Sequence, residues 1–239
     1  TSTKPCKSMG STHPKEVKGM TVSFKDVQSH PFVEAFVNQA DANLEALGYT
    51  EHGKRHVGLV SSIARNILRR LGYPERTAEL AAIAGYVHDI GNSVSRIHHG
   101  PTAAVLIAPV LQELQMPPHE IAQVLSAVGN HEEETGHPVN AVAAALILAD
   151  KSDVHRTRTR SKELTSFDIH DRVNYAAVKS FLDVDETERV ISLNVTIDTE
   201  ICPIMEYFEI FLQRMLMCRR AAEFLGCQFK LNINDTPLL

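Results

Sequence analysis

The sequence predicts a mainly α-helical bundle followed by a small C-terminal β-β-α-β unit. Between Phe32 and Asp150, apolar residues recur three and four apart in segments punctuated by Gly and Pro, the period of helices with one buried face. The chain has no Trp and few aromatics against many Ala, Leu, Ile and Val residues, a composition suited to close helix packing. Beyond Arg160 the pattern changes to alternating, β-branched runs, of which ISLNVTI (191–197) is the clearest. A length of 239 residues suits one sizeable helical domain, 20–165, with an α+β appendage, 166–239. Residues 1–19 are rich in Ser, Thr, Lys, Pro and Gly without periodicity and read as disordered.

Each element has its own signature. Phe32, Phe36, Ala40, Leu44 and Leu47 recur at helical spacing, and Gly48 stops that helix. Val60, Ile63, Ile67 and Leu71 share one face of the next, which ends at Gly72 with Pro74 just beyond. His56 lies one turn before Val60, on that inward face. The helix expected from Glu75 to Asp89 is small and apolar almost all round, so it is expected to be deeply buried. Its end at Gly91 leaves His88 and Asp89 in the last turn, where exposed carbonyls favour a nearby cation. After Gly100 a helix carries Ala104, Ile107 and Leu111, with Pro109 expected to kink or split it. Pro117-Pro118 opens another, striped by Ile121, Val124, Leu125 and Val128, with His131 three residues on. The helix from about Val139 sets Val142, Leu146 and Asp150 four apart on one face. Strands are expected over Arg172–Asp183 and Arg189–Thr196, joined by a hairpin at Asp185-Glu186-Thr187. A helix from Pro203 to Leu225, closed by Gly226, and a strand over Gln228–Ile233 complete a unit whose helix would be covered by three strands.

Composition excludes several function classes. A net charge of −5 and a pI near 6.2 give no bulk electrostatic reason for nucleic-acid or anionic-membrane binding. The longest apolar stretch, Ala141 to Ala149, is too short to span a bilayer, and no secretory signal is seen, so the expected compartment is the cytoplasm. Cys6, Cys202, Cys218 and Cys227 have no CxxC spacing and read as reduced thiols.

The chemistry gathers at the helix ends. His56, His88, Asp89, His99, His131 and Asp150 supply four imidazoles and two carboxylates, all on expected inward faces. That set suits two adjacent divalent metals of the iron, manganese or nickel type better than one tetrahedral zinc. A lone histidine on an apolar face is more often a hydrogen-bonded core residue, but the adjacent His88-Asp89 pair and Asp150 argue otherwise. A carboxylate ending the run AVAAALILAD would be a buried unpaired charge, costing several kcal/mol, unless it caps a helix or meets Arg65. His98 is the second choice to His99. Of the acidic cluster Glu132, Glu133 and Glu134, one can orient water or a ligand ring, with the others on a solvated face.

The order H…HD…H…H…D resembles the HD superfamily of metal-dependent phosphohydrolases over roughly His52 to Arg160. The extra histidines resemble its dinuclear branch. HHG (98–100), GNHEEETGHP (129–138) and ILADKSD (147–153) are similar to the symmetrical dinucleoside tetraphosphate hydrolases and, more distantly, to HD-GYP phosphodiesterases. The chain departs from HD-GYP in having Asn130-His131-Glu132 for the paired His-His-Glu, and it has Asn92 where a lysine is common. The resemblance implies two divalent transition metals, iron or manganese first and nickel, cobalt or magnesium as alternatives. These would activate a hydroxide and polarise phosphoryl oxygens. Asp89 would bridge them, with His56 and Asp150 on one metal, His99 and His131 on the other, and His88 beside Asp89. Lys151 is the first candidate to offset phosphoryl charge, followed by Arg96 and the run Arg156, Arg158 and Arg160, for which a solvated helix end is the alternative. The implied partner is a small phosphorylated substrate, a nucleotide first, with a homodimer as a further expectation. A mixed-valent di-iron oxygenase, which would use the same ligands, and a metal-stabilised sensor module are the alternative functions.

Overall fold

Residues 21–160 and 168–238 are described by the structure, a computed structural model, so the expectation for 1–19 lies outside the described residues. α1 (Phe24–Gln28) is a short helix that apolar periodicity does not announce. Its start is fixed by Ser23, whose hydroxyl accepts the Asp26 amide while the Asp26 carboxylate accepts the Ser23 amide. α2 (Pro31–Ala46) buries Val33, Val37, Ala40 and Leu44, a row one residue removed from the expected Phe32 and Phe36. Those two rings stack on each other at 4.0 Å on the flank, and Leu47 is exposed just past the helix end.

The bundle proper is built on three helices. α3 (Lys54–Arg70) buries His56, Val57, Val60, Ala64 and Ile67. α4 (Glu75–Val87) is buried along every face from Leu80 to Val87, as its small-residue composition dictates. α7 (Ala141–Lys151), capped by the Asn140 side chain on the Ala143 amide, is buried from Val142 to Ala149. α5 (His99–Glu113) and α6 (Pro118–Gly129) pack on each other and close the bundle. Pro109 neither kinks α5 into two helices nor ends it. The ring is on the exposed side, and the Val105 carbonyl that loses its amide partner sits on a residue 75 % exposed, where water can reach it.

Gly91 has a different role from the helix stop expected of it. It lies inside a 3₁₀ turn, Ile90–Ser93, that continues α4 after a break at His88-Asp89. A Cβ at Gly91 would lie 2.0 Å from the His99 carbonyl oxygen and 2.7 Å from the Ala103 amide nitrogen. Only the missing side chain lets the start of α5 close on the end of α4.

The C-terminal part differs from the expected order. Arg172–Ala176 belong to a helix, α8 (Ile169–Ala176), because Asp168 caps it through the Asp171 amide and Val173 and Ala176 are buried. The strand β1 runs from Ala177 to Asp185, antiparallel to β2 (Val190–Ile197). β2 is parallel to β3 (Gln228–Ile233), and α9 (Ile204–Phe224) makes the crossover that a parallel pair needs. A two-residue β4 (Thr236–Pro237) completes the order β1-β2-β3-β4. α9 is not covered by strands alone: it packs against both β3 and α7, so the apolar core runs unbroken from the bundle into the sheet. Cys202, Cys218 and Cys227 are buried free thiols. Among the described residues, no helix is long and apolar enough to cross a membrane.

Gly91→Ala is therefore expected to destabilise the fold by about 1–3 kcal/mol or more, the range for overpacking a core. Denaturant unfolding measures it, and a change within error would mean that α5 can shift without cost.

Candidate metal centre

Six side chains from three helices and two connecting turns converge below one cavity. His56 comes from the first turn of α3, His88 and Asp89 from just past α4, and His99 from the first turn of α5. His131 follows α6, and Asp150 is in the last turn of α7. His56, His88 and His131 are at most 1 % exposed and Asp89 is 3 %.

The ring nitrogens are divided by their partners. His88 Nδ1 donates to the Gly85 carbonyl at 2.9 Å and His131 Nδ1 to the Val128 carbonyl at 2.6 Å. His99 Nδ1 faces the Arg96 carbonyl at 3.1 Å and the Glu132 carboxylate at 2.8 Å. His56 Nδ1 donates to Asp153 Oδ2 at 2.7 Å. All of these partners are acceptors, so each neutral ring carries its proton on Nδ1 and turns a lone pair inward from Nε2.

Those inward atoms form two groups around Asp89. His56 Nε2 and His88 Nε2 are 3.4 Å apart; each is 3.4–3.6 Å from Asp150 Oδ1 and from Asp89 Oδ2. His99 Nε2 and His131 Nε2 are 3.1 Å apart and lie 3.4 and 3.8 Å from the other oxygen, Asp89 Oδ1. Lone pairs facing one another at such distances repel unless a cation lies between them. Donors held about 2.1 Å from one metal ion are roughly 3.0–3.4 Å from each other in octahedral or tetrahedral arrangements, so these separations fit a metal.

The electrostatics point the same way. Burial works against a charged His88, but the Asp89 and Asp150 carboxylates outweigh it and raise its pKa to about 10. His99, buried and set against His131, is lowered to about 4. Asp89 and Asp150 stay ionised despite burial, held low by His88 and by Lys151 respectively as the leading charges. The two carboxylates and the crowding of imidazoles thus pull neighbouring rings in opposite directions.

Residues 54–176, just over half of the chain, match the HD domain family. The chain belongs to this family. HD domains are generally metal-dependent phosphohydrolases that bind divalent metals, and the matched span contains all six converging residues. The chain is also 26% identical over 176 residues to the uncharacterized protein MJ1020 of Methanocaldococcus jannaschii, covering 64% of this chain and 67% of that one.

Within the HD domain, some residues singled out from sequence sit where expected and others do not. Arg96 lines the cavity, its guanidinium 5.4 Å from the Tyr49 ring centre. Lys151 also lines it, but its ammonium is not free: it holds Asp150 Oδ2 at 2.6 Å, leaving Oδ1 for the centre. Arg156 lies elsewhere, over the Tyr175 ring. Arg158 is buried in the scaffold, donating to the Asp153 and Glu51 carbonyls and to His52 Nε2. Arg160 is tied to Asp41 and the Tyr49 carbonyl. His98 lines the cavity at a positive φ of 58°, while its neighbour His99 faces the centre. Arg65 pairs with Glu75 rather than with Asp150.

Asp153 and the supporting role of Asn92 escaped the sequence reading, whereas Glu132 belongs to the acidic cluster singled out there. Asp153 is 1 % exposed at its side chain; it takes the His56 proton and is gripped by Arg55 and Arg158. Burial works against its ionisation, but Arg158 and the His56 hydrogen bond hold its carboxyl far below the ordinary range. Asn92 donates to Asp89 Oδ1 at 3.0 Å. Glu132 joins His99 to the Gly100 amide, which makes it the member of the acidic cluster that orients a ring. The only advance signal for Asp153 was its place three residues after Asp150, which alone says nothing of its partner.

Two outcomes follow from this geometry. Metal bound here ties together helices distant in sequence, so stoichiometric chelation should lower the melting temperature, and readdition of metal should restore it. An unchanged transition would mean that the buried polar groups are satisfied without an ion. Asp153→Asn keeps an acceptor for His56 but loses the charge, and should weaken metal binding by about tenfold to a hundredfold. Competition against a metallochromic chelator reads this directly; wild-type affinity would make Asp153 a scaffold residue only.

Proposed function

We propose that the chain is a metal-dependent phosphohydrolase that uses two divalent transition metals, iron or manganese first. Its substrate would be a phosphoester or phosphoanhydride of a nucleotide or another small phosphorylated metabolite. The observation that carries this reading is the division of Asp89: one carboxylate oxygen faces His56 and His88, the other His99 and His131. One ion would be held by His56, His88, Asp150 and Asp89, and the second by His99, His131 and Asp89. When bound, two such ions supply Lewis acidity and a water acidified enough to attack at neutral pH.

The protein's own groups do the rest. Asn92 fixes the Asp89 carboxylate and Lys151 fixes Asp150, so both present one orientation to the centre. The cavity above, about 690 Å³, is large enough for a small metabolite and carries Arg96 and Lys151 in its wall. Those cations suit the charge on non-bridging phosphoryl oxygens, which favours hydrolysis over oxygen chemistry on the same ligands.

Metal analysis of protein purified without chelator should find close to two transition-metal ions per chain, and Asp89→Ala should lose both. Full occupancy in that variant would show that the shared carboxylate is misassigned. Lys151→Ala, assayed at saturating metal, should lower kcat for phosphoester hydrolysis by on the order of 10²-fold. His131→Ala should instead lose metal and activity together. An unchanged kcat in Lys151→Ala would leave Lys151 as a support of Asp150 alone.

A further inference from the structure

The wall that α9 contributes to the cavity holds an arginine, Arg214, that meets the bundle through the Glu133 carboxylate. The Arg214 side chain is 21 % exposed, and its guanidinium carbon sits 4.5 Å over the Phe211 ring, which fixes its plane. Nε is 2.5 Å from Glu133 Oε1, yet it is buried and makes no hydrogen bond, because its N–H does not point at that oxygen. Among the described residues the two terminal nitrogens have no hydrogen-bond acceptor either. A guanidinium offers five N–H donors; here Glu133 pairs with the Nε edge by charge alone, and the four N–H groups of the terminal nitrogens face the cavity without a described acceptor. Arg158, in the same wall, is by contrast hydrogen-bonded through all three nitrogens, to Glu51, Asp153 and His52.

Arg214 is also electrically continuous with the metal centre. Glu133 Oε1 is 3.9 Å from Lys151 Nζ, and Lys151 Nζ is 2.6 Å from Asp150 Oδ2. Glu133 thus lies between two cations, one beside a metal-ligand carboxylate and one a step farther out, as an anionic group of a substrate would. We propose that Arg214 and Lys151 form a subsite for a second phosphoryl group, so that the substrate carries two phosphoryl groups close together. Glu133 would occupy that place until such a group displaces it. The inference rests on the phosphohydrolase reading and narrows it to substrates such as nucleoside diphosphates, triphosphates or other bisphosphorylated metabolites. It also gives the C-terminal unit a task, since α9 brings to the cavity a cation that the bundle helices do not supply.

The test uses metal-loaded full-length protein and two non-reacting probes, inorganic phosphate and methylenediphosphonate, titrated by calorimetry. Wild type should prefer the diphosphonate. Arg214→Gln should weaken diphosphonate binding by about tenfold to a hundredfold, the loss of one charge-assisted pair, with phosphate binding and metal content unchanged. Glu133→Gln removes the competing carboxylate and should tighten diphosphonate binding. A preference that survives in Arg214→Gln would reduce the diphosphonate to a metal chelator and overturn the subsite. Equal weakening of both probes, or weakening in Glu133→Gln, would make the pair a structural tie between α9 and the turn after α6, and would overturn it equally. Should Arg214→Gln fail to fold, Glu133→Gln decides alone. A panel of phosphoesters assayed on the wild type tests the parent reading separately: no hydrolysis, with the binding preference intact and lost in Arg214→Gln, would remove the reaction and leave the subsite.

Discussion

Four imidazole lone pairs aimed at one shared carboxylate are the constraint around which the bundle is arranged. Each ring is held from behind by an acceptor on Nδ1, and for His88, His99 and His131 that acceptor includes the carbonyl three residues earlier. Gly85 and Val128 lie in the last turns of α4 and α6, where carbonyls lack the helix's own amides. Helix ends therefore orient two of the candidate ligands with groups that had to be satisfied in any case. Asp89 must meet both pairs at once, which requires the start of α5 to lie against the turn after α4. The bare backbone of Gly91 allows that approach, so a packing detail at one glycine sets the geometry of a centre several residues away.

Much of this was legible because the converging residues violate the rules of the segments that carry them. A charged residue ending AVAAALILAD, or a His-Asp pair ending AAIAGYV, has no place in a buried helix without a partner, and periodicity alone showed that the helices are buried. The supporting residues break no local rule. Asp153 meets His56 across 97 positions, and Glu132 meets Gly100 across 32, so nothing near them in sequence signals the contact. The same distinction explains the fold. Helices with a repeating apolar face were readable, whereas Arg172–Ala176 looked like the start of a strand because its helix is a short one, fixed by the Asp168 cap. Tertiary contacts decided such segments, and they also decided that α9 rests on α7 as well as on its own sheet.

That docking of α9 turns the C-terminal unit from an appendage into part of the cavity. The bundle supplies the converging imidazoles and carboxylates and part of the wall, including Tyr49 and Arg96; α9 supplies Phe211 and Arg214. Two arginines, each lying over an aromatic ring, therefore come from elements far apart in sequence. Stacking lets a guanidinium be held with few of its N–H groups engaged, Arg96 by one bond to Asn92 and Arg214 by its pairing with Glu133, whereas Arg158 and Arg160 are bound to the scaffold through several.

The charge balance of the centre explains how an acidic protein can take an anion. The chain carries a net charge of −5, which repels a phosphorylated molecule at long range. The centre itself holds two carboxylates among four imidazoles, and those carboxylates raise the pKa of His88. Two divalent ions would reverse the centre's sign and leave an excess of positive charge facing the cavity. Lys151 and Arg96 extend that field outward, and Glu132 and Glu133 neutralise it where it is not needed. Binding would then depend on a local potential built from ions, Lys151 and arginines within a few ångströms of each other. Such a field acts at contact distance, where salt screens least, and is independent of the overall charge of the chain.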